Sequence, residues 1–355
     1  MSADQPSNQG GLEPVRPETY TFHAIPSSAD KNAKVAIHQI PTGELTAPAG
    51  ILADVHGSKD DLTVPAYSYL IEKDGQAYLW DLGLMEVRSL LPLSRRIRDV
   101  MLTKLFKART GPGPIKRLRE GGYDTGKIKE VILSHQHFDH FGDLDTLAPG
   151  VKAVLGPGSL ASIGPGYPED PDGSWPKKWL DEKQLEELPP VAVGSSAPSI
   201  RGKWQQVACF EHALDYFGDG SLWLAINEGA SHCRGHLNAL ARVTTDPDTY
   251  LVLAGDTAHH QSLYLPVPAP GEVDRRTRIP FFEMPNTNGS RISMHENPTE
   301  AYVAIGRLTR MSIEENIMVL LAHEGQVKGV IPDWPESLDN WKANGFKEKK
   351  ENLHT

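Results

Sequence analysis

The chain has 355 residues, of which 36 are basic and 46 are acidic, so its formal net charge is −10 at pH 7. This acidic balance argues against nucleic acid as the main partner, because binding to a phosphate backbone needs a concentrated basic face. The sequence has no apolar run of the roughly 18 residues that span a membrane and no apolar signal segment at its start. The two cysteines cannot form a disulfide framework. We therefore expect a cytoplasmic protein without a membrane or nucleic-acid partner.

A single domain between two solvated ends is predicted. Residues 1–18 are polar and residues 347–355 form a run of charge, so both are predicted to be tails, the first of them disordered. No repeat or low-complexity linker divides residues 19–346, which we assign to one domain. Two stretches, near 91–113 and 262–296, are predicted insertions. The second is long and rich in Pro and Arg, and it is either a lid over a site or a passive surface loop.

Short apolar strands alternate with polar loops and a few helices along this domain. Several strands are continuously apolar, as expected where both faces of a sheet are covered. The predicted strands are Tyr67–Ile71, Tyr78–Trp80, Val131–Ser134, Leu222–Ile226, Leu240–Val243, Tyr250–Ala254 and Ile317–Leu321. The predicted helices are Glu86–Ala108, Ile115–Glu120, Asp181–Glu187 and Pro298–Met311, with Asn297 as the N-cap of the last. The Asp219-Gly220 pair predicts a tight hairpin. The mixture indicates an α/β protein with helices outside paired sheets.

The segment VILSHQHFDH holds four potential metal ligands just after a predicted strand. His135 and His137 are two positions apart in extended backbone and point to the same side, so one cation can bind both imidazoles. The chain must then turn, which allows Asp139 and His140 to reach a second position nearby. A lone histidine is more often a packed or surface residue, but four ligand-type residues at this spacing favour a metal site.

Three further predicted strands lead to residues of the same kinds. His232 follows LWLAI through a short loop, Asp256 follows YLVLA, and His323 follows IMVLLA. Sites in α/β proteins form beyond the carboxyl ends of strands, so these residues are expected to meet. Imidazole and carboxylate ligands suit two Zn²⁺ ions, with Fe or Mn as alternatives. The predicted ligands fall into two sets that share a bridging carboxylate: His135, His137 and His232; Asp139, His140 and His323; and the bridging Asp256.

Taken together, these segments resemble the metallo-β-lactamase superfamily and, within it, the lactonase-like branch. The resemblance rests on LWDLG, SHQHFDHFGD, FGDGSLWL, SHCRGH, LAGD and LAHEG, which extend from about Tyr67 to Gln326. It implies a four-layer αββα sandwich with two metals at one edge. Among fungal members, the chain is similar to γ-lactamases of the type that open benzoxazolinones, cyclic carbamates made by plants. This resemblance implies a detoxifying hydrolase.

The expected reaction is the opening of a small cyclic amide, carbamate or ester by a hydroxide that bridges the two metals. Asp139 is predicted to be both a ligand and the proton carrier to the leaving group. Lactonases of the branch carry a tyrosine that assists the substrate carbonyl, and His259 stands in its place. We predict that His259 donates a hydrogen bond to that carbonyl or shuttles a proton; the alternative is that it orients a ligand.

Other residues receive subsidiary interpretations. Asp81 and His236 are predicted to support ligands, and Cys233 is predicted to be a buried free thiol. Phe138 is expected to face the pocket, and His56 is expected to lie in a loop. Four aromatic residues either form a flat apolar slot for a substrate ring or pack within loops: Trp175, Trp179, Phe281 and Phe282. The histidines without an assigned role are His23, His38, His212, His295 and His354.

Several alternatives stay open at this point. The same fold and metals could serve an acyl-homoserine lactonase, a glutathione thioesterase, or a phosphodiesterase, for which Arg275, Arg276 and Arg278 could supply a local basic patch. A redox iron protein is disfavoured by the intact histidine set. The non-enzymatic alternative is a pseudoenzyme that binds a ligand, although such a protein would usually have lost one of the metal ligands. The oligomeric state, the native metal and the physiological substrate are left open.

Overall fold

A computed structural model describes residues 19–28, 30–52, 60–86, 93–191, 203–264, 284–285 and 291–352. Several predictions fall outside these residues: the tail at 1–18, His56, Phe281 and Phe282, the patch of Arg275, Arg276 and Arg278, and His354. Within the described residues, no helix is long and apolar enough to cross a lipid bilayer.

The described strands build two large sheets and one small hairpin. In chain order they are β1 (Ala36–Pro48), β2 (Asp61–Lys73), β3 (Gln76–Trp80), β4 (Arg109–Thr110), β5 (Ile128–Ile132), β6 (Lys152–Leu155), β7 (Gln184–Glu187), β8 (Gln205–Val207), β9 (Phe210–Asp215), β10 (Leu222–Ile226), β11 (Leu237–Thr245), β12 (Asp248–Leu253), β13 (Met284–Pro285), β14 (Arg291–Ile292) and β15 (Ile317–Leu320). The first sheet has the order β4-β1-β2-β3-β5-β6-β7, and the second has the order β15-β12-β11-β10-β9-β8. Strand β5 is parallel to β3, and β12 is parallel to β15.

The helices are short, apart from the one that covers the second sheet. The α-helices are α1 (Ala49–Leu52), α2 (Pro114–Glu120), α3 (Ser159–Ile163), α4 (Lys177–Glu182), α5 (Pro298–Ser312) and α6 (Phe346–Glu351). A wider helical segment with π-type hydrogen bonds spans Arg96–Leu105. The start of α5 is as predicted: Pro298 opens its first turn, and the Asn297 side chain accepts a hydrogen bond from the Glu300 N–H.

The hydrophobic core has three parts, one between the sheets and one on the outer face of each. Side chains alternate along a strand, so β10 sends Leu222 and Leu224 between the sheets and Trp223 and Ala225 to the outer layer. That outer layer also holds residues of α5, while α2 and the Arg96–Leu105 helix cover the first sheet. The order helix, sheet, sheet, helix confirms the predicted four-layer αββα sandwich.

The strand predictions agree well with the structure. All seven predicted strands coincide with or overlap a strand of the two sheets: β2, β3, β5, β10, β11, β12 and β15. The Asp219-Gly220 hairpin is also confirmed, since it joins the antiparallel strands β9 and β10. The Asp215 carboxylate fixes this turn by accepting hydrogen bonds from the Gly218 and Gly220 N–H groups, at 2.9 and 2.8 Å.

Two helix predictions are wrong in their extent. In place of a helix over Glu86–Ala108, the described part of that stretch is helical only over Arg96–Leu105. The helix predicted over Asp181–Glu187 is divided: α4 ends at Glu182, and Gln184–Glu187 forms β7 alongside β6. Pairing with a neighbouring strand outweighs the helix propensity of this Gln-Leu-Glu-Glu segment, because local propensity is a weak preference.

The charged C-terminal segment is also different from the prediction. Residues expected to be a solvated tail from 347 form most of α6, and both Lys347 and Lys350 are buried. The Lys347 ammonium donates to the Glu314 carbonyl at 2.7 Å, and the Lys350 ammonium lies 2.8 Å from the Glu324 carboxylate. Phe346 in the same helix packs against the core between the sheets.

The tryptophans of the predicted slot belong to the core. Trp175 and Trp179 are 0% exposed and pack edge to face against each other and against Phe141. The Trp175 indole N–H donates to the Gln136 carbonyl at 3.1 Å, which fixes the chain between the predicted ligands His135 and His137. The packing alternative is therefore the one that the structure supports.

Candidate metal centre

The predicted ligands come together where strands of both sheets end. Strand β5 leads into the loop that carries His135, β12 leads to Asp256, and β15 leads to His323, while His232 lies in the connection from β10 to β11. Six of the seven predicted ligands are buried, and His137 is partly exposed. Residues spread over nearly two hundred positions thus form one compact cluster.

The first set consists of three imidazoles that face a common point. The His137 Nδ1 atom lies 3.0 Å from the His135 Nε2 atom and 3.0 Å from the His232 Nε2 atom. A pair of neutral imidazole nitrogens can share only one hydrogen bond, in which one nitrogen donates and the other accepts. The His137 Nδ1 atom is close to two other imidazole nitrogens at once, so hydrogen bonding alone does not explain this arrangement. Zn–N bonds of about 2.0–2.1 Å place two tetrahedral ligand atoms about 3.3 Å apart. The spacing of these nitrogens therefore fits a cation.

The second set combines two imidazoles and a carboxylate. The His323 Nε2 atom lies 3.3 Å from Asp139 Oδ2 and 3.3 Å from Asp256 Oδ1, and the His140 Nε2 atom lies 3.2 Å from the same Asp256 oxygen. Neither Nε2 atom finds a hydrogen bond of acceptable geometry among the described residues, although both are buried. Such buried, converging and unsatisfied groups are the expected surroundings of a cation.

Asp256 lies between the two sets. Its Oδ1 atom faces the second set, while its Oδ2 atom lies 3.8 Å from His135 Nε2 and 3.6 Å from His232 Nε2. The backbone N–H of Asp256 donates to His236 Nε2 at 3.0 Å, so His236 holds this residue from behind, as predicted. Gly255 makes the close approach feasible: its φ is +50°, and a Cβ atom there would lie 2.9 Å from the same imidazole nitrogen.

Hydrogen bonds behind the second set orient its imidazoles. Asp81 is fully buried in a left-handed conformation (φ +61°) and accepts hydrogen bonds from Ser134 N–H, Ser134 Oγ–H and His140 Nδ1–H at 2.6, 2.8 and 2.8 Å. The His323 Nδ1–H group donates to the Pro65 carbonyl at 2.8 Å. In both histidines Nε2 is therefore the nitrogen that faces the centre, and Asp81 has the predicted supporting position.

The two sets differ in their electrostatics. Burial lowers the pKa of His135, His137 and His232, so the first set is neutral and ready to coordinate a cation. Burial also disfavours charge on His323, but Asp256 and Asp139 outweigh it and raise the pKa of His323 to about 10.

In the remaining groups of the second set, too, the charges of neighbouring residues outweigh the effect of burial on the pKa. Burial alone would lower the pKa of His140, yet the carboxylates of Asp256, Asp81 and Asp139 raise it well above its ordinary value. Conversely, burial would raise the pKa of Asp139 and Asp256, but His140 and His323 hold both carboxyl pKa values below their usual range. Protons on the two histidines balance the carboxylates, and a bound cation would replace those protons.

Two further imidazoles lie against the predicted ligands. His259 is 1% exposed, its Nε2 atom lies 3.2 Å from Asp256 Oδ2, and its ring stacks on His323 with an interplanar angle of 8°. His295, which received no role from the sequence, is also buried, with its ring centroid 5.3 Å from both His232 and His259. It follows no core strand and stands in no recognisable motif, so sequence reasoning had no signal for it.

Cys233 and Phe138 complete the surroundings. The Cys233 side chain is buried, and burial raises the pKa of its thiol well above the ordinary value, which agrees with the predicted buried free thiol. Its sulfur nevertheless lies within 4.8 Å of the ligand atoms of the first set. Phe138 packs against Phe106, with ring centroids 5.6 Å apart, in the layer that covers the first sheet, and its predicted place in a pocket stays a prediction.

The αββα sandwich, with histidine and aspartate sets where its strands end, defines a class of proteins that carry a metal centre between two sheets. Within that class, the chain belongs to the Metallo-beta-lactamase superfamily, whose family model matches residues 62–268. The resemblance inferred from the sequence motifs is therefore confirmed.

Individual relatives refine this picture. The protein named Cytochrome P450 monooxygenase mpaDE, from Penicillium roqueforti (strain FM164), is 29% identical over 299 residues, which are 80% of this chain and 32% of that protein. Gamma-lactamase FDB1 of Fusarium pseudograminearum (strain CS3096) is 30% identical over 257 residues, which are 65% of this chain and 58% of that protein. The chain thus spans about a third of the first relative and somewhat more than half of the second.

A solved structure shows the same fold. An N-acyl homoserine lactone hydrolase, with the product N-hexanoyl-L-homoserine bound at its catalytic metal centre, superposes with a TM-score of 0.58. The match covers 86% of this chain and 99% of that chain at 13% sequence identity. At this identity the likeness concerns the fold alone.

Proposed function

We propose that this protein is a dinuclear metal-dependent hydrolase that opens a small cyclic amide, carbamate or ester. The observation that carries the proposal is the position of Asp256, whose two oxygens face two separate sets of ligand-type side chains. A carboxylate between two such sets is the arrangement expected of a ligand that bridges two cations. The γ-lactamase among the similar proteins supports the choice of a cyclic substrate.

The donor atoms suit two Zn²⁺ ions. His135, His137 and His232 would hold one and Asp139, His140 and His323 the other, with Asp256 shared between them. Bound together, the two cations would supply Lewis acidity and lower the pKa of water towards about 7. The chain's own contribution is to fix these donors in a buried site through Asp81, His236 and the Pro65 carbonyl.

Asp139 is the group that we propose for proton transfer. Its Oδ2 atom lies 3.3 Å from His323 Nε2, and an aspartate carboxyl with its ordinary pKa of about 3.9 is ionised at neutral pH. An ionised carboxylate at this place can accept a proton released as water attacks the carbonyl carbon and can return it to the departing atom. This step matters more for an amide or carbamate nitrogen than for an ester oxygen, because an amide anion leaves poorly.

The role of His259 depends on which of its nitrogens carries the proton. In the observed contact, Nε2–H donates to Asp256 Oδ2, which leaves Nδ1 as an acceptor in a neutral ring. While Nε2–H makes this contact, it is not available to a substrate carbonyl. The contact therefore supports the alternative that His259 orients the bridging carboxylate, while the predicted catalytic role remains to be tested with a His259→Phe variant. Reduced turnover with two bound metals would favour catalysis, and loss of metal would favour orientation.

The test of the proposed function combines metal analysis with a substrate panel. The purified full chain would be stripped with a chelator, reloaded with Zn²⁺, and assayed with benzoxazolinone, a γ-lactam, an acyl-homoserine lactone, bis(nitrophenyl) phosphate and lactoylglutathione. We expect two tightly bound ions per chain and metal-dependent opening of one of the cyclic compounds. The His212→Asn variant is the matched control for His259→Phe, since His212 lies on β9 and pairs with Glu228, not with a predicted ligand.

Three outcomes would contradict the proposal. Full activity after exhaustive chelation would exclude the metal mechanism. Turnover of the phosphate diester alone would replace the proposed substrate class with that of a phosphodiesterase. Two bound ions without turnover of any compound would favour a binding protein that has kept the metal centre.

A further inference from the structure

Three buried polar side chains form a closed hydrogen-bonded group behind the metal centre, here called the polar triad. Asn227 follows β10, Asn238 lies at the start of β11 and Thr257 lies just beyond β12, and all three are buried. The two side-chain amides are 2.7 Å apart, and the Thr257 hydroxyl lies 2.7 Å from the amide of Asn227 and 2.9 Å from that of Asn238. The polar triad therefore joins three neighbouring strands of the second sheet at the edge where the predicted ligands lie.

The polar triad is connected to Asp256 through His236. The Asn227 amide lies 2.9 Å from His236 Nδ1, and the backbone N–H of Asn227 donates to the His236 carbonyl at 3.0 Å. On the other side of the imidazole, His236 Nε2 accepts a hydrogen bond from the Asp256 N–H at 3.0 Å. A continuous chain of hydrogen bonds thus extends from the triad to the residue that lies between the two predicted ligand sets.

The contact with Asp256 fixes the tautomer of His236. A nitrogen that accepts a hydrogen bond carries no proton, so the proton of the neutral imidazole is on Nδ1. This Nδ1–H group needs an acceptor, and its neighbour is the Asn227 amide. The two ends of a carboxamide have nearly the same shape, so the hydrogen-bonding partners decide which end is the oxygen. The requirement of His236 therefore places the Asn227 oxygen on the side of the imidazole.

This orientation of Asn227 determines the other hydrogen bonds of the polar triad. The Asn227 oxygen also accepts from the Thr257 hydroxyl, and the Asn227 NH2 group donates to the Asn238 oxygen. The Asn238 NH2 group then donates to the Thr257 oxygen, so each contact has one donor and one acceptor. The reverse orientation would place donors at both nitrogens of His236, and a neutral imidazole accepts at only one. The imidazole and the triad are therefore satisfied together in a single arrangement.

We propose that Asn227 is a positioning residue, which holds His236 in the Nδ1–H tautomer so that His236 can hold the backbone of Asp256. The inference rests on the proposed function, because it takes Asp256 as the ligand that both cations share. A fully satisfied buried network is rigid, since a rearrangement would leave polar groups without partners. Because Asp256 serves both cations, loss of Asn227 weakens the binding of both, whereas loss of a group behind one set would weaken one.

The first measurement is the tautomer of His236 in the zinc-loaded full chain. Nitrogen-15 NMR of protein with labelled histidines distinguishes protonated from unprotonated imidazole nitrogens, and the His236→Asn variant identifies the signals of His236. We expect a proton on Nδ1 and none on Nε2. An Nε2–H tautomer would overturn the inference, because Asn227 would then not be holding the form that accepts from the Asp256 N–H.

The second measurement is a competition titration with zinc. The matched control is Gln39→Leu, since Gln39 is also a buried amide but lies on β1 and donates to Asp333. We expect Asn227→Leu to weaken both zinc equivalents by about 10-fold, the lower end of the range for groups that support metal ligands, and Gln39→Leu to weaken neither. Thr257→Ser keeps the hydroxyl of the triad and should retain the native affinity, whereas Thr257→Val should resemble Asn227→Leu.

Two results of the titration would also overturn the inference and leave the dinuclear proposal intact. One is an unchanged affinity in both Asn227→Leu and Thr257→Val, and the other is a loss confined to one equivalent. If Asn227→Leu does not fold, Thr257→Val and the tautomer in the native protein decide the question. Binding of fewer than two tight equivalents by the native protein would instead contradict the proposed function itself.

Discussion

The buried ion pair between the C-terminal helix α6 and the loop after β15 gives the sharpest test of the fold. Lys350 is 2% exposed and Glu324 is 0% exposed, with 2.8 Å between the ammonium and Glu324 Oε1. The ammonium also donates to the Tyr264 hydroxyl at 2.6 Å and to the Val319 carbonyl. In Lys350→Met, a side chain of similar length replaces the ammonium and leaves the buried Glu324 carboxylate without its counter-ion.

The loss of stability expected for Lys350→Met follows from these contacts. Removal of one partner from a buried ion pair costs about 3–5 kcal/mol, because the remaining charge is desolvated without compensation. An exposed substitution usually changes stability by less than about 0.5 kcal/mol. Lys349→Met, at the exposed neighbour in the same helix, is the matched control. Urea unfolding of the metal-loaded protein would compare the two variants with the native chain.

The double variant Lys350→Met/Glu324→Leu separates the ion pair from the packing of the helix. Replacement of both charges by apolar side chains is expected to recover much of the loss, as buried ion pairs often yield little net stability over apolar substitutes. Because Glu324 directly follows His323, Lys350→Met should also weaken zinc binding. The reasoning would be refuted if Lys350→Met lowered the free energy of unfolding no more than Lys349→Met does.

Three further predictions follow from the metal centre. Asp81→Asn removes the charged partner of His140 Nδ1–H and should lower zinc affinity by about 10–100-fold in a competition titration, with an unchanged affinity counting against this role. Burial lowers the pKa of His236 to about 3, below its ordinary value of 6.5, so its contribution to stability is complete above pH 6.5 and is lost as the pH falls towards 3. Urea unfolding at pH 7 and pH 4.5 should show this loss, and His236→Asn should reduce the difference. Metal removal should destabilise the fold by about 4 kcal/mol for each of the two bound ions where free zinc is about 1,000 times the Kd, and an unchanged Tm after chelation would contradict it.

The sequence predicts the central strands, and it predicts that the ligand-type side chains meet where those strands end, because both features depend on local patterns. Continuous apolar segments such as Leu222–Ile226 have few structural alternatives once both faces are covered, and ligand-type residues beyond strand ends share one edge. The motif from His135 to His140 adds a spacing that ordinary packing residues seldom show. These features require no knowledge of distant contacts.

The errors come from contacts between distant residues. Gln184–Glu187 has a helical preference, but β6 provides backbone partners that local propensity does not contain. The sequence around Lys350 predicts a solvated charge, because its buried partners Glu324 and Tyr264 are distant in the chain. His295 lies beside the cluster because the N–H groups of Glu296 and Asn297 donate to the carbonyls of His232 and Ser231.

The metal centre draws its side chains from both halves of the sandwich. The loop from His135 to His140 follows a strand of the first sheet, whereas His232, Asp256 and His323 follow or connect strands of the second. Cations held there would fasten one sheet to the other at this rim, in addition to the apolar layer that joins them. Separation of the two sheets would then require release of the ions. The stability of the sandwich and its capacity for hydrolysis would therefore depend on the same bound cations.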